Sequence, residues 1–407
     1  MTEPAVKPLA PEEPAPPPGR TFAARLLEEL TGGPVLVTVL AVFTALVVGA
    51  VLIVFSDENV LSTWGYFFAA PGDALSASWH AITDAYGALF SGALGSSSAL
   101  SETIVAASPL ILAGLGVALG FRAGLFNIGA EGQVIVGGLA AGFAGFSLQG
   151  LPVVVHLPLA ILAGLAAGAA WGFIPGILKA RTGAHEVITT IMLNYVAANL
   201  ALYLLSTAVF RRPGRTDPIS KQVEVAARLP HLAGQSLRLH AGILVALLSA
   251  AAVAWLLGRS TWGFELRVAG ANPNAAQTAG ISVGRATVLA MVLSGGLAGL
   301  AGTNQVLGLQ YSLAPGFSGG IGFDAITLAL LGRANPFGVV AAGLLFGALR
   351  AGGLQMQAVT GTPIDIVTVI QSLIVIFVAA PALVRAMYRI RVARGGAGTP
   401  VSKGWGS

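Results

Sequence analysis

The 407-residue sequence has no cysteine and very little charge: only 10% of its residues are Asp, Glu, Lys or Arg. The first absence excludes disulfides, thiolate nucleophiles and Cys-based metal sites. The second excludes an ordinary soluble protein, in which roughly a quarter of residues are charged. A chain that is 55% hydrophobic, with a mean hydropathy of +0.81, cannot cover a water-facing surface, so lipid must solvate much of it. The GxxxxGK[ST] phosphate loop and HExxH are also absent. The five histidines, His80, His156, His185, His231 and His240, are too scattered for a helical metal site. One GxSxG match, GFSGG around Ser318, lacks the strand-to-helix setting of a hydrolase elbow and reads as a Gly-rich entry to a span.

The chain is instead rich in long apolar runs. A membrane span needs about 20 mostly apolar residues, and candidates lie near 34–55, 103–121, 132–149, 157–178, 187–209, 241–257, 286–307, 319–332, 337–353 and 364–387. The expected fold is therefore all-α, a polytopic membrane protein of about ten transmembrane helices occupying 34–387. The eighth stretch is the weakest, being short and entered through Gly316, Gly319, Gly320 and Gly322. Glycines four apart (Gly164, Gly168, Gly172 and Gly176; Gly138 and Gly142; Gly295 and Gly299; Gly343 and Gly347) suit close helix packing. Residues 1–33 read as a tail with seven prolines before residue 20, expected to be disordered, followed by a short interfacial helix at 22–30; residues 388–407 read as a second tail.

With the N-terminus in the cytoplasm, Arg122, Lys179, Arg181, Arg259, Arg267, Arg285, Arg333 and the Arg385–Arg394 cluster all fall inside, as the positive-inside tendency requires. Both termini are then cytoplasmic, and the basic pI of about 9.8 reflects membrane topology rather than nucleic-acid binding. The loop at 56–101, with four acidic residues and no Lys or Arg, lies outside, and Arg350 is a small exception near the outer end of its span. The loop at 211–240 is a larger one. It carries Arg211, Arg212, Arg215, Lys221, Arg228 and Arg238 against Asp217 and Glu224, so either the topology fails there or a positive outer surface has a purpose.

Two polar patches interrupt the apolar pattern. GLFNIGAEGQ (124–133) sets Asn127, Glu131 and Gln133 among glycines at membrane depth, where a carboxylate costs roughly 2.5–3.5 kcal/mol on insertion scales. Either a broken helix lines a pathway there, or Glu131 caps the third span beside the cytoplasm. HEVITTIMLNY (185–195) places Glu186, Thr189, Thr190 and Asn194 close to one helical face, suited to a pathway or to bonds between helices. Asp324 and Asp365 precede apolar runs and read as helix caps. Asn304, Gln305, Gln310 and Tyr311 lie near the outer mouth, where solvation alone would justify them. In the polar segment 258–285, Asn272 as N-cap, Pro273 as first residue and Gly280 as stop frame a two-turn helix. Marginal alone in water, it invites a groove in another protein.

GLFNIGAEGQ (124–133), AHEVITTIMLNYV (184–196) and GANPNAAQTAGIS (270–282) together resemble the permeases of the ribose and branched-chain amino acid class of ABC importers. The resemblance runs from about residue 100 to 385 and is greatest to nucleoside-type permeases that work with basic-membrane-protein lipoproteins. It implies a multi-pass subunit of the bacterial cytoplasmic membrane, paired with a sister permease (a heterodimer) above two ATPase subunits and fed by an extracytoplasmic binding lipoprotein. ATP and Mg would belong to the ATPase, leaving this chain without a cofactor or enzymatic site. Gly270, Asn272, Ala275, Ala276 and Gly280 would couple to the ATPase. Arg211, Arg212 and Arg215 would dock the binding protein, and Asn127, Glu131, Gln133, Glu186 and Asn194 would line the substrate pathway. Ribose hydroxyls suit Asn127, Glu131 and Asn194, and a base suits Phe126 and Tyr195; a simple sugar fits nearly as well. An ion-coupled transporter, the competing class, would show a carboxylate pair at the midplane and a visible inverted repeat, whereas the sequence offers only lone Glu131 and a weak likeness between its halves.

Overall fold

Each of the ten apolar stretches falls on a helix in the computed structural model, which describes residues 34–234 and 236–389. The expected interfacial helix at 22–30 and nearly all of the C-terminal tail lie outside the described residues. In chain order the helices are α1 (Pro34–Ser56), α2 (Glu58–Trp64), α3 (Pro71–Leu94), α4 (Ser97–Arg122), α5 (Ala130–Ser147), α6 (Val153–Thr182), α7 (Glu186–Ser206), α8 (Gly242–Arg259), α9 (Thr261–Ala271), α10 (Pro273–Thr278), α11 (Val283–Asn304), α12 (Ile321–Leu331), α13 (Pro336–Thr360), α14 (Asp365–Ala379) and α15 (Pro381–Met387). Among the described residues there is no strand, only two isolated bridges, Arg211 with Ser220 and His231 with His240.

Seven of these helices are long and apolar enough to cross a membrane: α1, α4, α6, α7, α8, α11 with its continuation, and α13. An eighth span results if α14 and α15, bent by 92° at Pro381, count as one. Of the ten predicted stretches, that leaves α5 and α12, each of which follows an irregular segment. The segment 56–101, read from sequence as an open loop, is corrected: α2 and α3 occupy it. Its mixed polarity hid a helix that buries Ala74, Ala85, Ala88, Leu89 and Ala93 and packs against α13.

The two halves of the bundle share one plan. α4 and α11 are the most buried spans and pack against each other. Each leads through an irregular segment (123–129 or 311–320) into a shorter helix, α5 or α12, and then a longer one, α6 or α13. The halves are intertwined, because α6 packs on α11 and α13 packs on α4.

Arg122 Nε donates to Ala334 O (2.9 Å), and Arg181 and Arg285 line one cavity with Trp262 and Glu265, so these basic residues mark one end of the bundle. α4 runs toward that end and α11 away from it. The plan is therefore repeated with inverted direction, as in many membrane carriers.

Packing at the centre depends on small residues. Along the α6–α11 seam, Gly164, Gly168 and Gly172 face Gly299, Gly295 and Met291, and a Cβ on Gly168 would overlap the Gly295 carbonyl oxygen. Gly138 and Gly142 receive Phe317 and Leu313, and Gly347 receives Ala107. The Gly164–Gly172 and Gly295–Gly299 rows are thus a helix seam where backbones approach closely, while Gly138 and Gly142 make room for side chains of the 311–320 segment.

Candidate functional site

α4 ends at Arg122, and the chain turns back along it, with Leu125 N donating to Gly120 O (2.9 Å). By Asn127 the chain is level with Ser294, the twelfth residue of the 22-residue α11. Asn127 also lies beside Gly120, two residues before the end of α4, so the 124–133 segment folds back into the bundle before α5 begins.

Three of the predicted pathway residues hold the break together. Asn127 Nδ2 donates to Gln133 Oε1 (2.9 Å) and to Ser294 Oγ (2.8 Å), while its Oδ1 accepts from Gly129 N (3.0 Å). Asn194, on α7, accepts from Gly132 N (2.8 Å) and donates to Ile128 O (2.9 Å), so one side chain pairs a donor and an acceptor that the broken helix leaves open. Asn127 and Gln133 are 0% and 1% exposed, so their polar atoms are spent within the protein.

Glu131 does something the sequence reading did not foresee. It sits in the first turn of α5 but reaches across to the start of α12. Its Oε1 accepts from Ser318 Oγ (2.5 Å) and its Oε2 from Gly322 N (2.7 Å). A carboxylate thus satisfies an open amide at the positive end of another helix. α12 is 11 residues long, about 16 Å, too short to cross a hydrocarbon layer of about 30 Å by itself. Gly322 permits the approach, since a Cβ there would overlap the Glu131 backbone. Ser318, read as part of a Gly-rich entry, is 4% exposed and is a partner of Glu131.

Glu186 is not part of this cluster. It begins α7 and pairs with Lys179 Nζ (2.5 Å) at the end of α6. Asp324 is also corrected: it lies inside the first turn of α12 rather than at its cap, and its carboxylate pairs with Arg350 of α13. The sequence carried a signal for this, because an Arg out of register with the positive-inside pattern needs a partner at depth. Nothing local marked Ser294, which only packing brings to Asn127.

The chain matches, over residues 99–379, the family described as branched-chain amino acid transport system / permease component. The chain belongs to this family. It is 42% identical over 309 residues to the guanosine ABC transporter permease protein NupP of Bacillus subtilis (strain 168), covering 76% of this chain and 88% of that one. It is 39% identical over 319 residues to the glucose ABC transporter permease protein TsgB13 of Haloferax volcanii, covering 76% and 83%. A third relative, the nucleoside ABC transporter permease protein NupB of Lactococcus lactis subsp. cremoris, is 35% identical over 311 residues, covering 74% and 85%. No solved structure matches.

At its basic end this permease carries the predicted short helix. α10 is capped by Asn272, whose Oδ1 accepts from Ala275 N (3.0 Å), and Gly280 follows it in the left-handed region (φ 79°). Ala276 is buried, while Ala275 is exposed. Gly270, at the end of α9, lies against 122–124: a Cβ on it would be 2.5 Å from Ala123 C and 2.6 Å from Gly124 N. The segment 258–285 therefore touches the start of the 124–133 break.

The basic loop lies at the opposite end of the permease. Glu224 N donates to Gly145 O (2.9 Å), Val223 N to Tyr311 O (2.8 Å) and Leu229 N to Leu307 O (2.9 Å), tying it to the far ends of α5 and α11. Its charges are unequal. Arg228 stacks on Tyr311 (4.6 Å), Arg238 pairs with Glu102 (3.1 Å), and Arg215 pairs with Asp217 (2.7 Å). The Arg215 hydrogen bond holds the Asp217 carboxyl below its ordinary range. Arg211 and Arg212 are half-buried and form no side-chain ion pair among the described residues.

Nearby, Asn304 is buried rather than solvated at the mouth, at the point where α11 turns into a π-helical turn, Gln305–Gln310. His240 packs against that turn and accepts from Gly242 N through Nδ1 (3.1 Å). Burial first, then the charges of His231 and Arg238, bring its pKa down to about 4.

Proposed function

We propose that this chain is the permease subunit of an ABC importer that moves nucleosides across the bacterial cytoplasmic membrane. The observation that carries the cargo is its 42% identity to the guanosine permease NupP across 88% of that protein. In this reading the eight spans are completed to ten by the broken pair α5 and α12, and the basic end with both termini faces the cytoplasm. A sister permease pairs with this one, two ATPase subunits hold ATP and Mg, and a binding lipoprotein delivers cargo outside.

Gly270, Asn272, Ala275, Ala276 and Gly280 form the contact with the ATPase. Movement of α10 passes through the Gly270–Gly124 approach to the segment that carries Asn127, and so to the meeting point of α5 and α12. Asn127, Glu131, Gln133 and Asn194 support the wall of the route within the bundle, with Glu186 at its cytoplasmic end. Arg211 and Arg212 offer the binding protein its basic surface, and Arg215, already paired with Asp217, contributes less.

Reconstitution with the ATPase and binding protein should give ATP-dependent uptake of labelled guanosine in preference to glucose. The 39% identity to TsgB13 supports a second reading, a sugar permease, which preferential glucose uptake would establish. Uptake by this chain alone along an ion gradient would point instead to a secondary transporter.

A further inference from the structure

Both halves of the bundle place an acidic residue in the first turn of the helix that follows the break, Glu131 in α5 and Asp324 in α12. Their fates differ. Glu131 is 7% exposed and gives both oxygens to the start of α12, whereas the side chains of Asp324 and its partner Arg350 remain 31% and 32% exposed. Arg350 is the fifteenth residue of α13, about 21 Å above the basic end, so the pair lies at membrane depth.

A half-exposed ion pair at that depth is incompatible with lipid contact. The adjoining backbone gives the same result independently. Pro315, Gly316 and Gly319 are exposed in an irregular segment, and Arg350 Nη2 lies 3.5 Å from Gly319 O. Irregular backbone at this depth persists only where protein covers it or where it lines a water-filled cavity. Exposed backbone and exposed ionic groups together exclude lipid at this face, which leaves water or the sister permease against it.

We propose that Asp324 and Arg350 form a cargo-contacting site that takes a vicinal diol, the ribose 2′,3′-diol of a nucleoside. This rests on the nucleoside reading above. A carboxylate accepts from two neighbouring hydroxyl groups, and the guanidinium beside it donates to their lone pairs. The pair presents both functions side by side, already oriented by each other.

The test uses the reconstituted importer with its ATPase and binding protein, comparing ATP-dependent uptake of guanosine and 2′,3′-dideoxyguanosine. The same binding protein serves every variant, so its own selectivity cancels. The wild type should favour guanosine, and Asp324→Asn should reduce that preference by about tenfold, the value of one hydrogen bond to a charged group. The double variant D324N/R350Q keeps a neutral hydrogen-bonded pair and so retains a structural link between α12 and α13. It should stay assembled and also lose the preference. If either variant transports with wild-type discrimination, the proposal is overturned. If the wild type carries glucose and not guanosine, the nucleoside reading fails by itself, and glucose against its deoxy analogues then tests the same pair.

Discussion

At the residue scale, single side chains pair backbone groups that the broken helix leaves open. Asn194 satisfies Gly132 N and Ile128 O together, so Asn194→Ala should destabilise the permease by about 2 kcal/mol, with two buried groups left unpaired. Thermal unfolding in detergent measures this. Asn199, exposed on the same helix, supplies the control, and Asn199→Ala should change little. His240 supplies a pH dependence. The folded state holds its ring near pKa 4 against an ordinary 6.5, so the unfolded chain takes up the proton first. Its contribution to stability is complete above about pH 6.5 and is lost as the pH falls toward 4. The unfolding temperature of the wild type should therefore fall more steeply across that window than that of His240→Asn. Asn127, Glu131, Gln133 and Asn194 were all legible as polar intrusions in apolar runs. Their partners were not, because Ser294 and Gly322 come from distant segments and neither is unusual in its own neighbourhood.

At the element scale, the seams are built on absent side chains. Gly168→Ala should weaken the α6–α11 seam strongly, since the new methyl would overlap the Gly295 carbonyl, which belongs to a rigid helix. Gly284→Ala is the matched control: its Cβ would lie 3.6 Å from the Ala180 Cβ, an ordinary contact, and it should be tolerated. Yield of folded, monodisperse protein separates the two. Glycine spacing made these seams legible in sequence, but it could not say which row meets which. Helix α3 was missed for the opposite reason. It packs through small residues spaced among Ser, Thr and Asp, so its burial comes from α13 rather than from its own apolarity.

At the scale of the whole molecule, the two ends of the permease differ in character. One carries Arg122, Arg181 and Arg285 with the capped helix α10, and the other carries the 207–241 segment. Reversal of Arg211 and Arg212 to Glu should weaken docking of the binding protein at low salt, with the difference shrinking as salt is raised. Arg215→Glu should have a smaller effect because Asp217 already occupies that charge. Titration of binding protein against the reconstituted permease at two salt concentrations checks both.

Composition and apolar spacing were enough to determine a helical membrane protein, ten of the segments that form its helices, and the two polar patches where the pattern fails. Those properties depend on each segment's own exchange between water and lipid. Tertiary structure alone decided that the 124–133 segment folds back into the bundle, that Glu131 serves α12 rather than its own helix, and that Asp324 meets Arg350. Such pairings depend on which buried groups packing brings within about 3 Å, and no local pattern encodes that distance.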